Sequence, residues 1–396
     1  MKKIFKNLII LLAVLLCLQG SAASALSSDA ELDCSTVRVG LVYGDEAVYS
    51  AEFRSVNGGS FMLGQYDAER EFHCELETQA VSLTVTLYDG VINVLNSYSG
   101  ALICTVNGGS IALLPAEDAL TEYGGKQYRG GFACLIEEKG LSVINYVGLE
   151  DYVKGVVPYE MSASWGIEAL KAQAVCARTY AVYNQNEYEE FGFDITDDTY
   201  SQVYNGVLEA TEDTDRAVDE TAGELIRYNG EVCEIYYFAA DGGATEDGIN
   251  VFDADRPYLR GKYDHYERMV DFSVKNWTAH RSGWEIGEIL REKGYDIGGV
   301  TSIERTRSRT GNNIALKFFD AEGRSALVAG RSCYNMLRLN SCRFSIVTTD
   351  DGFDFLGHGW GHSCGMSQWG AKAMAEVYGY DYEEIIKFYF TGVYIE

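Results

Sequence analysis

The chain has 396 residues, of which 47% are hydrophobic and only 3 are proline, enough apolar material for one large folded domain or two smaller ones. Its 59 acidic residues against 32 basic ones give a formal net charge of −27, which excludes nucleic acid or an anionic membrane as a partner held by bulk electrostatics. Recognition of any ligand must therefore be local.

Met1–Ala25 reads as a secretory leader: Lys2, Lys3 and Lys6 precede the apolar run Leu8–Leu18, and Ala23-Ser24-Ala25 supplies a small-residue cleavage site. The run is shorter than the roughly 20 residues of a membrane span, although an uncleaved anchor is the alternative. The protein is accordingly expected outside the cytoplasm or in the cell envelope. Ten cysteines, with Cys17 in the leader, leave an odd number and no CxxC, so buried thiols are expected, with room for a disulfide or two.

Residues 26–140 alternate as short strands, clearest in Val37–Val42 and Val81–Leu87. Two NGGS turns, Asn57–Ser60 and Asn107–Ser110, hint at a duplicated unit. This region is expected to be a β-rich accessory domain, serving either as a binding module or as a structural collar.

Gly148–Asn186 combines an apolar run, a proline, Glu160 and one amphipathic helix. Ser164 is the expected N-cap, with Glu168 in the first turn. Ile167, Leu170, Ala174, Ala177 and Ala181 form a narrow, alanine-rich stripe, so the helix is expected to be buried. Lys171 and Arg178 lie seven residues apart, about 20° round the axis and roughly 10 Å along it, on one edge. Glu160 is expected near the N-terminal end of this helix, where a carboxylate can be held or tuned.

Beyond an acidic stretch, Gln202-Val203-Tyr204-Asn205-Gly206 is followed by a helical piece at Thr214–Thr221. Two strands, Leu225–Tyr228 and Cys233–Ala239, flank an Asn229-Gly230 turn, and the loop Asp241–Glu246 comes after them. Residues 260–350 read as scaffold: helices at Trp284–Lys293 and Arg331–Leu339, and strands at Ser302–Thr306, Ile314–Phe319 and Ser325–Val328. In the tail, His358, His362 and Cys364 are zinc-type ligands, but Gly357, Gly359, Gly361 and Gly365 place them on a loop, and a fourth ligand is missing. No metal or other cofactor is therefore expected, with zinc as the disfavoured alternative. His362, Ser367 and Gln368 are read as polar groups lining a groove beside Glu160, with a helix over Ser367–Tyr378.

The run LEDYVKGVVPYEM, followed by EALKAQAVCARTYA, and the later GHGWGHSCGMSQWGAKAMA resemble the opening and closing motifs of the sporulation stage II protein D family, which includes LytB-type amidase enhancers. The resemblance covers about residues 141–396. It implies an α+β catalytic domain that cleaves peptidoglycan glycan strands, with Glu160 as general acid/base, in wall remodelling during sporulation and alongside other wall hydrolases. It also implies that the QVYNG segment, with Gln202 and Tyr204, and the GG-Thr-Glu loop line the groove. Zinc-carrying relatives have cysteine and histidine just before QVY, where this chain has Asp194, Asp198, Thr199 and Ser201.

The chemistry is consistent with one acid. Glycoside hydrolysis ordinarily needs two carboxylates, and Glu160 has no evident partner in the motifs. A lytic transglycosylase needs only one, because the muramic acid 6-hydroxyl attacks its own anomeric carbon. That role requires a raised pKa, which burial beside Val156, Val157 and Met161 supplies, so Lys171 and Arg178 are expected to face substrate oxygens or other carboxylates instead. The alternative is a non-catalytic, wall-binding amidase enhancer.

Overall fold

The computed structural model describes residues 35–396 apart from Val274, so the leader and Cys17 within it lie outside the described residues. The architecture is α+β, with several sheets and a group of helices packed about one long helix.

Alternating apolar residues between residues 36 and 148, joined by the short strand Ile195–Thr196, build two sheets. One has seven strands, ordered Ile195–Thr196, Thr36–Val42, Gly140–Gly148, Gly131–Glu137, Ser110–Pro115, Phe61–Tyr66 and Phe72–Glu77. The other has six: Lys126–Tyr128, Thr121–Tyr123, Ser50–Ser55, Ser82–Tyr88, Val91–Asn96 and Leu102–Asn107. Inward side chains meet between them, with the Phe53 and Phe132 rings 5.1 Å apart. Each NGGS turn carries the chain from the second sheet into the first, and the two strands so delivered, Phe61–Tyr66 and Ser110–Pro115, are antiparallel neighbours. The repeated turn thus marks a repeated crossing. The division expected at residue 140 falls inside a hairpin, because Gly131–Glu137 pairs with Gly140–Gly148 from Glu137↔Gly140 onwards. The β-rich region and the strand that leads into the helices share that sheet.

The chain leaves it into α1 (Leu149–Lys154), α2 (Val157–Glu160) and α3 (Ile167–Tyr183). Every residue of α3 from Ala169 to Val182 except Lys171 is buried. The narrow stripe read from the sequence understates this: small side chains on every face let neighbours close in all round. Those neighbours include α1, α2, α4 (Glu212–Asp219) and two C-terminal helices. The cap also differs from expectation. Gly166 is the N-cap and its N–H donates to Glu376 Oε1 at 2.9 Å, while the Ser164 hydroxyl pairs with that of Ser162.

After the Asn229-Gly230 turn, both residues of which have positive φ as a type I′ hairpin requires, comes α5 (Gly248–Phe252). The scaffold region then forms largely as read: α6 (Gly283–Glu292), strands Val300–Arg307, Asn313–Asp320 and Ser325–Ala329, and α7 (Gly330–Met336). It has its own core, built on Ile286, Leu290, Leu316, Phe318, Phe353 and Phe355. Strand Gly352–His358 runs out of that core and delivers the glycine-rich tail loop. The loop leads to α8 (Gln368–Ala373), continued by one π-helical turn at Met374–Tyr378, and then to α9 (Tyr382–Tyr389). No helix among the described residues is long and apolar enough to cross a membrane, and the eight described cysteines are free thiols.

Candidate active site

Glu160 ends α2, where the backbone turns extended at Met161. Val156, Val157 and Met161 are buried around it, while part of Glu160 itself remains open to solvent. Burial raises its pKa above the ordinary carboxylic range; the Gln368 side chain and the Val203 backbone N–H favour the ionised form and only moderate that rise. Among the described residues no neighbouring charge of either sign takes part. An enclosed carboxyl that is still reachable and inclined to hold its proton is suited to donating it.

Gln368 fixes the geometry. Its Nε2 lies 2.9 Å from Glu160 Oε2 and 3.4 Å from Gln173 Oε1 on α3. Gln173 is fully buried, and its own Nε2 has no protein partner among the described residues. Gln368 thus links Glu160 to Gln173, two turns into α3. The carboxylate expected at the helix N-terminus is instead Glu376. Behind Glu160, the Tyr237 hydroxyl donates to Gln202 Oε1 at 2.6 Å, and Gln202 Nε2 donates to the Tyr152 hydroxyl at 3.1 Å.

The remaining expected groove residues are committed elsewhere. Arg178 is wholly buried: Nε and Nη2 reach Glu150 at 2.8 and 2.6 Å, and the guanidinium also donates to the Glu224 and Val218 carbonyls. Lys171 pairs with Glu168 and Glu220. Both cations thus face carboxylates of the protein rather than a substrate. Tyr204 is buried and offers no face to a sugar; it packs on Gly155, where a Cβ would lie 2.4 Å from the ring, and donates to Asn145 Oδ1 at 2.7 Å. Gln202 is likewise an internal strut rather than a groove residue. Ser367 caps α8 by accepting from Gly370 N, and its hydroxyl turns to Glu267 at 2.8 Å rather than to Glu160.

His362 does not line the Glu160 site. Its ring is enclosed by Phe238 and Phe252, at 5.1 and 4.9 Å, and borders a small cavity also lined by Glu246 and Asn312. Burial lowers its pKa to about 4, so the imidazole is neutral, with Nε2 donating to the Tyr237 carbonyl and Nδ1 accepting from Cys364 N. His358 opens onto a different cleft. The glycines between them serve backbone contact: Gly359, at φ +78°, leaves no room for a Cβ, which would lie 2.5 Å from the Ala240 carbonyl.

Three potential ligand groups do converge among the described residues, Asp241, Asp264 and Glu267, all buried. They form an oxygen-only set, foreign to zinc's preference for nitrogen and sulfur, and they accept hydrogen bonds from backbone N–H groups and from the hydroxyls of Ser367 and Tyr389. Ahead of QVY, Asp194 is buried and ion-paired with Arg38 and Arg70, and Asp198 accepts from Thr196 and Tyr200. Ion pairs and turn hydrogen bonds order that loop.

Sequence reasoning missed an aromatic cluster. Trp369, next to Gln368, stacks on Phe272 at 4.4 Å and meets Trp165 at 4.7 Å, and all three rings keep some exposure. The chain has only five tryptophans. Two of them flanking the acid and its amide partner in the motifs was the available signal. Such rings can stack on sugar faces.

A family model described as Stage II sporulation protein matches residues 137–228. A protein of Brachyspira hyodysenteriae (strain ATCC 49526 / WA1), described as uncharacterized, is 33% identical over 339 residues, 85% of this chain and 87% of its own length. The amidase enhancer of Bacillus subtilis (strain 168) is 29% identical over 296 residues, 61% of this chain but 39% of the enhancer. Stage II sporulation protein D of the same organism is 29% identical over 271 residues, 64% of this chain and 75% of that protein.

Proposed function

Since the chain belongs to the sporulation stage II protein D family, we propose that it is a peptidoglycan lytic transglycosylase, exported to the envelope and acting on glycan strands at muramic acid during sporulation-related wall remodelling. The observation that carries this reading is the enclosed carboxyl of Glu160, held by Gln368 at 2.9 Å, with no charged neighbour among the described residues.

In this reading protonated Glu160 gives its proton to the glycosidic oxygen as the bond to the muramic anomeric carbon breaks. The resulting carboxylate takes the proton from the 6-hydroxyl as that oxygen bonds to the anomeric carbon, which returns Glu160 to its acid form without water. Gln368 orients the carboxyl and offsets part of its charge when ionised. The Trp165–Trp369–Phe272 cluster supplies an apolar wall against which sugar rings are positioned. The test is whether cleavage occurs and depends on Glu160. Strand binding without any cleavage would instead favour a role like that named for the amidase enhancer.

A further inference from the structure

Cations are scarce in this chain, 32 against 59 acidic groups, so an arginine is surrounded by potential partners. Arg268 and Arg343 nonetheless form no ion pair among the described residues. They share a cleft of about 330 Å³ beside the Asp241–Gly242–Gly243 loop. The loop's shape brings them together: a Cβ on Gly243, at φ +109°, would lie 3.7 Å from the Arg268 guanidinium and 4.0 Å from Arg343 Nη2. Two like charges brought this close repel, and Arg343 is also partly desolvated, with only Nη1 engaged, on the Thr310 carbonyl at 2.9 Å.

Asp241 and Glu267 are the carboxyls that act on Arg343, and both favour its charged form, but neither forms an ion pair with an arginine among the described residues. The Glu267 oxygens instead accept from the N–H groups of Asp241 and Gly242 and from the Ser367 hydroxyl. Lys275 Nζ is held by the Arg268 and Val270 carbonyls, with the exposed Asp271 at 3.4 Å. His358, kept below its ordinary pKa by burial and then by Arg343, has Nδ1 2.7 Å from Asn276 Oδ1, so the neutral ring donates there and leaves the Asn276 amide nitrogen as a further donor. A cleft offering two guanidiniums and an amide N–H₂ is built for a planar anion. It is also close to the reaction: Ser367 joins Glu267, and the next residue, Gln368, holds Glu160.

We propose that Arg268 and Arg343 bind a carboxylate carried by the glycan strand, and so set which muramic residue lies over Glu160. This rests on the transglycosylase reading for its substrate class. Two sources share the chemistry, the lactyl group of an unsubstituted muramic acid and the stem peptide.

The test is titration of the full-length Glu160→Gln protein, observed by NMR, with N-acetylmuramic acid, its methyl ester, muramyl dipeptide and N-acetylglucosamine. Binding of N-acetylmuramic acid or muramyl dipeptide about tenfold tighter than the two uncharged sugars, weakened about tenfold by Arg268→Gln and by salt but not by Lys387→Gln, is the expected result. Preference for N-acetylmuramic acid assigns the lactyl group, and preference for the dipeptide assigns the peptide. Equal binding of acid and ester, binding indifferent to Arg268→Gln, or no binding of any probe overturns the proposal. Arg268 is exposed, so its substitution tests the cleft even if Arg343→Gln fails to fold. Cleavage by the parent protein is scored separately, so the cleft can fail while Glu160 stands, and the reverse.

Discussion

Arg178 tests whether the interior of α3 has been read correctly. Arg178→Met keeps the aliphatic bulk but removes two bonds to Glu150 and the donors to the Glu224 and Val218 carbonyls. The Val218 carbonyl retains Thr221, whereas that of Glu224 is left without this donor, at about 1–3 kcal/mol for a buried acceptor. Glu150 is 36% exposed and also held by Gly223 N, so water restores much of its solvation and its share is small. The expected loss is about 2–3 kcal/mol, below the roughly 3–5 kcal/mol typical of breaking a fully buried pair. Urea unfolding at pH 7, followed by tryptophan fluorescence, measures it, and kcat/KM of the folded variant should be little changed. A variant as stable as the parent but unable to bind glycan would refute this and return Arg178 to the groove.

Other substitutions probe the rest of the structure. His362, neutral down to about pH 4 when folded against an ordinary value of 6.5, makes stability complete above pH 6.5 and lost as pH falls towards 4; the unfolded chain takes up a proton that the folded ring refuses, worth up to about 3 kcal/mol, and His362→Gln should flatten this limb of the Tm–pH curve. Tyr204→Phe leaves Asn145 Oδ1 without its hydroxyl donor and should cost about 1–2 kcal/mol in urea unfolding, with glycan affinity unchanged. Trp369→Ala, checked for folding by circular dichroism, should weaken strand binding about tenfold in a sedimentation assay while leaving the pH profile of cleavage in place.

What was legible in the sequence was set by local chemistry. Period-two alternation located Thr36–Val42 and Ser82–Tyr88, the Asn229-Gly230 pair specified its turn, and apolar spacing found α6 and the three strands that follow it. Glu160 and Gln368, 208 positions apart, were both singled out, and they meet. What escaped was decided by long-range packing. Lys171 and Arg178 do share an edge of α3, but that edge faces Glu150 and Glu220, which no periodicity reveals. Tyr204 is drawn into the interior by a glycine 49 positions earlier, Gly155. The boundary expected at residue 140, where the resemblance begins, lies at a hairpin turn, and the hydrogen-bond ladder continues across it.

The most direct test of the central claim is mass spectrometry of products after the protein and its Glu160→Gln variant are incubated with glycan strands that carry stem peptides and strands that lack them. Anhydromuramyl ends are expected from the parent protein on at least one of these substrates, and none from the variant. Reducing ends would show that water is the nucleophile and that a second carboxylate acts. Anhydro products formed equally by the variant would remove Glu160 from the chemistry.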